Sequence, residues 1–285
     1  MQTNAGLAVK SAAKRIPGFS LAYRTLRDLR FFWREPEMTD FGFRLTGSRV
    51  MMAGEHEADL MQLTRSYLQE SSVFVDVGAN IGLYCCLALS MGVPTIAFEP
   101  VPLNLRYLLR NIYANGWKDS CEVFPVALGG ASGIVEMYGG GTGASVIKGW
   151  AQNSSLQKRL VPLMTLDRLI REKVENTKSL ILVDVEGAED QVIAGAEAVL
   201  TLSPRPVWIV EISLTEQLPH RLKTNPTAAS TFQRFWDHGY DSWTTGKDIR
   251  RVEKDELLRV LESGADTIGT HNFLFLESGR LPLGH

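Results

Sequence analysis

The chain has 285 residues, of which 45% are hydrophobic and 22% charged, the make-up of a folded protein with a sizeable core rather than a disordered one. Its net charge of −2 gives no overall field for nucleic acid or an anionic membrane, so either partner would need a local patch. The three cysteines, Cys85, Cys86 and Cys121, fit neither a disulfide framework nor a zinc-ligand spacing. With no apolar leader and no membrane-length apolar run, they point to a reducing, cytoplasmic setting.

Residues 1–50 read as a basic amphipathic helical arm. Lys10, Lys14, Arg15, Arg24, Arg27, Arg30 and Arg34 accompany Phe19, Ala22, Leu26, Leu29 and Trp33, which recur at helical steps. Such an arm packs on the rest of the chain, on a second copy in a homodimer, or on a membrane surface. A helix is predicted from Glu55 to Leu68, followed by alternation of strands and helices, the pattern of a mostly parallel sheet. The predicted elements are strand Val73 to Val77, helix Ile81 to Met91, strand Thr95 to Phe98, helix Leu103 to Asn115 and strand Glu122 to Val126. The β-like runs Ile134 to Tyr138 and Leu160 to Met164 flank a glycine-rich loop and read as an inserted hairpin, with Ser145 a ligand contact of its mobile loop. The rhythm resumes with strand Leu180 to Val185, helix Ala188 to Leu200 and strand Val207 to Ile212. A helix end before Gly239 and a strand from Asn272 to Leu276 close it.

Chemistry concentrates where the first strand turns into a helix. Asp76, Gly78, Ala79, Asn80 and Gly82 stand in the spacing D-x-G-x-x-x-G, in which glycines let a ligand approach the backbone and the helix N-terminus offers free N–H groups. A dinucleotide site wants G-x-G-x-x-G, so an NAD-linked oxidoreductase is disfavoured. Glu99, followed by Pro100, ends the next strand, where a carboxylate can accept hydrogen bonds from both ribose hydroxyls. The pair describes a nucleoside site without two phosphates.

The blocks DVGANIG, AFEPVPLNLRYLLRNI, VALGGASG, VPLMTLDRLI and LVDVEGAEDQVIAGAEAVL resemble, in order, those of the FkbM family of S-adenosylmethionine-dependent methyltransferases, from about Val73 to Ile212. The resemblance implies a doubly wound α/β fold of the Rossmann-like class I methyltransferase type, with a seven-stranded mixed sheet over residues 51–285. It also implies S-adenosylmethionine as cofactor, with Asp76, Gly78, Asn80 and Gly82 at the methionine and ribose end, Glu99 on the ribose and Asn104 near the cofactor. It further implies O-methylation of a hydroxyl on a sugar or small-molecule natural product. In one departure, the family often has lysine two residues before the aspartate of its DVEG block, where this chain has Leu182.

Ligands of open α/β sheets bind beyond the carboxyl ends of the strands, where Asp184, Glu186 and Glu211 are placed. Methyl transfer needs an aligned nucleophile and removal of a hydroxyl proton. One of these carboxylates can act as base, or Asp184 and Glu186 can hold magnesium. Alternatively, Glu186 caps the following helix and Asp184 only fixes the turn. His56, His220 and His271 are further candidates for the base that the sequence does not rank, a lone histidine being more often a surface or satisfied core residue. A noncatalytic binding or assembly protein on the same fold is the main alternative. A nucleic-acid partner is not expected, because DVEG replaces the motif that grips a flipped base.

Overall fold

The computed structural model describes residues 34–53, 57–153 and 157–283. The basic stripe at residues 10–33 and His56 therefore lie outside the described residues. From Arg34 onward the chain already belongs to the packed body. Strands β1 (Glu37–Met38) and β2 (Arg44–Leu45) pair antiparallel, and Phe43 and Leu45 are fully buried, so the domain begins well before residue 51. Helices α1 (Arg49–Met52) and α2 (Ala58–Leu68) follow.

The central sheet is built from β3 (Val73–Val77), β4 (Thr95–Phe98), β5 (Cys121–Phe124), β9 (Ser179–Val183), β10 (Val207–Glu211), β11 (Tyr240–Thr244) and β12 (Asn272–Glu277). Its order is β11-β12-β10-β9-β3-β4-β5, parallel except where β12 runs against both of its neighbours. Sequential strands leave β3 towards one edge and resume from β9 towards the other. The switch point, where open α/β sheets bind ligands, thus falls between β3 and β9.

Period-two alternation sends side chains to two cores. Val75 and Val77 of β3, Ile181 and Val183 of β9, Trp208 and Val210 of β10, and Phe273 and Phe275 of β12 join one cluster. Helices α5 (Leu166–Val174), α6 (Glu189–Ala194), α7 (Glu197–Leu200), α8 (Ala228–Asp237) and α9 (Lys254–Ser263) cover it. Phe74, Leu180, Leu182, Ile209 and Leu274 face the other way, onto α2 and α3 (Leu83–Ser90). Helix α4 (Pro102–Ala114) joins α3 in a third cluster at the β4 edge.

Two local expectations change. The helix expected from Ala188 to Leu200 is split into α6 and α7 at Gly195, whose α-carbon lies against the Gly129 carbonyl with no room for a side chain. The Asp167 carboxylate then caps α7 by accepting from the Ala198 and Val199 N–H groups at 3.0 and 2.9 Å. The expected hairpin is a three-stranded sheet, in which β8 (Lys158–Met164) pairs antiparallel with β7 (Gly133–Tyr138) and parallel with β6 (Ala127–Leu128). Among the described residues no helix is long and apolar enough to cross a membrane.

Candidate functional site

A cleft lies at the switch point, where open α/β sheets bind their ligands. The loop after β3, the end of β4, the start of α4, the loop after β9 and the small sheet enclose it. Of the residues expected at the cofactor, Gly78, Asn80, Glu99, Pro100 and Asn104 line this cleft, together with Asp184 and Glu186. Asp76, Ala79, Gly82 and Glu211 do not.

Glu99 is the fixed point of the donor side. It is 3% exposed, and its carboxylate accepts from the Asn80 N–H at 2.8 Å and the Val101 N–H at 2.7 Å. Burial raises its pKa to about 7, against those two N–H groups and the Asn104 amide, which favour the charged form. Asn80 adopts a left-handed φ of 51°, and its buried side-chain oxygen has no hydrogen-bond partner. A polar atom left unsatisfied beside a cleft is a place for a ligand donor. Asn104 donates to the Gly141 carbonyl at 3.1 Å, tying the glycine loop of the small sheet over the cleft.

Asp76 serves the site from behind. It is 1% exposed and faces α3, where the Cys85 thiol donates to it at 3.0 Å. Its cross-strand neighbour is Leu182, so no lysine stands beside it, and burial raises its pKa to about 6. Gly82, with a φ of +86°, lies against Leu108 and lets α3 and α4 close together.

On the other side of the cleft the carboxylates gather. The Asp184 and Glu211 carboxyls act directly on one another. Burial, then the charges of Glu211, Glu186, Glu57 and Glu189, push Asp184 well above the usual carboxylate range, and burial first raises Glu211 to about 8. Glu186 is raised to about 7 by burial, although the Trp150 indole N–H donates to it at 3.1 Å. Glu186 does not cap the following helix, which has no side-chain cap, and Glu189 in its first turn accepts from the Gly187 N–H at 2.8 Å. Ser145, expected against ligand, is fully buried and donates to the Glu186 carbonyl at 2.6 Å.

Sequence reasoning left out Glu57 and Tyr84. The Tyr84 hydroxyl donates to Glu57 at 3.0 Å, and the His271 imidazole stands 4.0 Å from the same carboxylate, which brings the α2 entrance and the loop before β12 to the acidic side. The only sequence signal was the E-H-E triplet ahead of α2. Among the described residues no group of three or more His, Cys, Asp or Glu side chains is arranged to hold a metal ion. The magnesium donors expected at Asp184 and Glu186 are not assembled, because one carboxyl turns to Glu211 and the other to Trp150.

The parallel sheet with one reversed strand and a cleft at its switch point define a Rossmann-like class I methyltransferase fold. The Methyltransferase FkbM domain matches residues 76–242, more than half of the chain, and the protein belongs to that family. Comparison with curated proteins gives no match. Among solved structures, methyltransferase FkbM from Methylobacillus flagellatus KT is 19% identical with a TM-score of 0.36, covering 50% of this chain and 33% of that one. The chain thus spans about a third of that relative's length. Precorrin-6y C5,15-methyltransferase from Geobacter metallireducens GS-15 is 10% identical with a TM-score of 0.42, covering 81% and 92% of the two chains. Magnesium protoporphyrin IX methyltransferase from Synechocystis PCC 6803, solved with bound S-adenosylmethionine, is 10% identical with a TM-score of 0.40, covering 81% and 86%.

Proposed function

We propose that the protein transfers a methyl group from S-adenosylmethionine to a hydroxyl oxygen of a sugar or small-molecule natural product. The observation that carries the reading is the buried Glu99 carboxylate, locked by the Asn80 and Val101 N–H groups beside the unsatisfied Asn80 oxygen. Those groups suit the ribose and amino-acid ends of the donor. When bound, S-adenosylmethionine supplies a methyl group on a sulfonium that is displaced in line by a nucleophile.

The chain itself aligns the nucleophile and takes its proton. Asp184 and Glu211, sharing one proton, leave one carboxylate oxygen to accept the proton of an acceptor hydroxyl. Trp150 fixes Glu186 beside them, and the small sheet with its Asn104-tethered loop shields the cleft from water. The acidic wall favours neutral, hydroxyl-rich acceptors over phosphorylated ones, because a buried anion there would meet like charge.

Isothermal titration with S-adenosylhomocysteine tests the donor site. Saturable binding at about one site per chain is expected, and lost on Glu99→Ala; absence of binding by the wild-type protein refutes the reading. Screening sugars and polyphenols with labelled donor then identifies the acceptor.

A further inference from the structure

Behind the donor loop lies a group that the methyl-transfer reading does not use. Cys85 is 0% exposed in α3, and its thiol donates to the buried Asp76 carboxylate. Cys121, at the start of β5, packs against the same apolar cluster under α3 that holds Cys85, and its thiol bears on the Cys85 thiol there. All three cysteines are free thiols, and Cys121 is the one in contact with solvent. Asp76, the Cys85 thiol and the Cys121 thiol therefore form a buried row whose outer end opens at the sheet edge.

We propose that Cys121 and Cys85 form an oxidant-driven disulfide that withdraws the thiol donor from Asp76 and thereby weakens binding at the donor loop. The coupling to donor binding rests on the methyltransferase reading, whereas the disulfide does not. The chemistry balances with a hydroperoxide as oxidant. The Cys121 sulfur takes one peroxide oxygen, becoming a sulfenic acid while the peroxide is reduced to water or alcohol. The Cys85 sulfur then attacks the Cys121 sulfur, so that the S–S bond forms and the S–O bond breaks. The Cys85 proton is taken up by Asp76, to which it is already hydrogen-bonded, and the hydroxide departing from the solvent-facing Cys121 takes a proton from water to leave as water.

The consequence follows from position. Asp76 immediately precedes Val77 and Gly78, and its side chain lies in a core with the Cys85 thiol as its side-chain donor. Once the Cys85 sulfur is in a disulfide it carries no proton. The carboxylate is then left with the Cys85 backbone N–H as donor, which weakens the hold on its charged form and so bears on the strand end on which the Gly78 turn is built. Cys86 is also buried nearby, but it faces the α2 side of the helix and has no hydrogen bond to Asp76.

The test treats the full-length protein with hydrogen peroxide, blocks remaining thiols and maps cross-linked peptides by fragmentation mass spectrometry. S-adenosylhomocysteine affinity is measured before oxidation, after it, and after dithiothreitol. The expected result is a Cys85–Cys121 link, roughly tenfold or more weaker binding, on the scale of losing one donor to a buried charge, and full recovery on reduction. Cys86→Ser should behave as wild type, and Cys121→Ser should neither cross-link nor lose affinity. A link through Cys86, or no link, overturns the proposal, and a Cys85–Cys121 link with unchanged affinity overturns its coupling to the donor site. If reduced protein fails to bind S-adenosylhomocysteine, the methyltransferase reading fails, and the peptide map still decides the cysteine chemistry.

Discussion

Gly78 lies directly against the backbone carbonyl of Asp184, with no space for a side chain between them. The contact joins the ends of β3 and β9 at the switch point, reinforced by the Asp184 N–H donating to the Val77 carbonyl at 2.9 Å. Gly78 also holds a φ of +91°, which L-residues adopt at a cost of about 1–2 kcal/mol. Gly78→Ala combines that strain with overpacking worth about 1–3 kcal/mol. The variant should melt roughly 4–20 °C lower, at about 2–4 °C per kcal/mol, and should lose S-adenosylhomocysteine binding. A melting curve superimposable on wild type would show that the two strand ends are not pressed together.

Glu99→Gln is the sharper probe of the donor side. Both carboxylate oxygens face backbone N–H groups, so an amide NH₂ would point one donor at another. The loop would keep its packing but lose one hydrogen bond to a charged acceptor, about 1.5–3 kcal/mol. Titration calorimetry should show affinity for S-adenosylhomocysteine falling about 10- to 100-fold, with the far-ultraviolet circular dichroism unchanged.

Much of this site was legible in the sequence because its parts are local. The turn from Asp76 to Gly82 and the end of β4 at Glu99 sit at strand–helix junctions that apolar runs and glycines mark directly. The small sheet was read as a hairpin because β6 is two residues long, too short to show a period. Strand β11, with sequence YDSWT, has too few apolar residues to announce itself, and α5 and α9 were hidden among charged residues. The approach of Glu57 to Tyr84 and of Cys121 to Cys85 are tertiary contacts without local signature. The direction of the Asp76 side chain was likewise set by the sheet face it occupies rather than by its motif.

Trp150 is 3% exposed, with its indole ring packed on Gly187 and its N–H on Glu186. Trp150→Phe keeps most of the ring and removes the donor. Since that hydrogen bond favours the charged form of Glu186, the variant should raise the pKa further above its value of about 7. The loss of stability should therefore be larger at pH 8, where Glu186 is ionised, than at pH 6, and of the order of 1–3 kcal/mol at the higher pH. Urea unfolding at the two pH values checks this. An equal loss at both would mean that Trp150 acts by packing alone.

The carboxylate wall makes a prediction about the whole molecule. Glu186 and Glu189 are raised to about 7 and Glu211 to about 8, in each case first by burial, and Asp184 is raised well above its ordinary range. In the unfolded chain such groups titrate near pH 4. Between about pH 4 and 8 the folded protein thus holds protons that the unfolded chain has released. Stability must then fall as pH rises, since the slope follows the protons bound unfolded minus those bound folded. The stabilisation is complete below about pH 4 and is lost as pH climbs through the folded values near 7 and 8. Urea midpoints should decline from pH 5 to pH 8, the reverse of a protein stabilised by ion-paired carboxylates. Glu211→Gln should flatten the slope by removing one titrating member and the repulsion it exerts on Asp184. A midpoint that rises with pH would mean that these carboxylates are charged in the folded state and that the cleft is wetter than its burial implies.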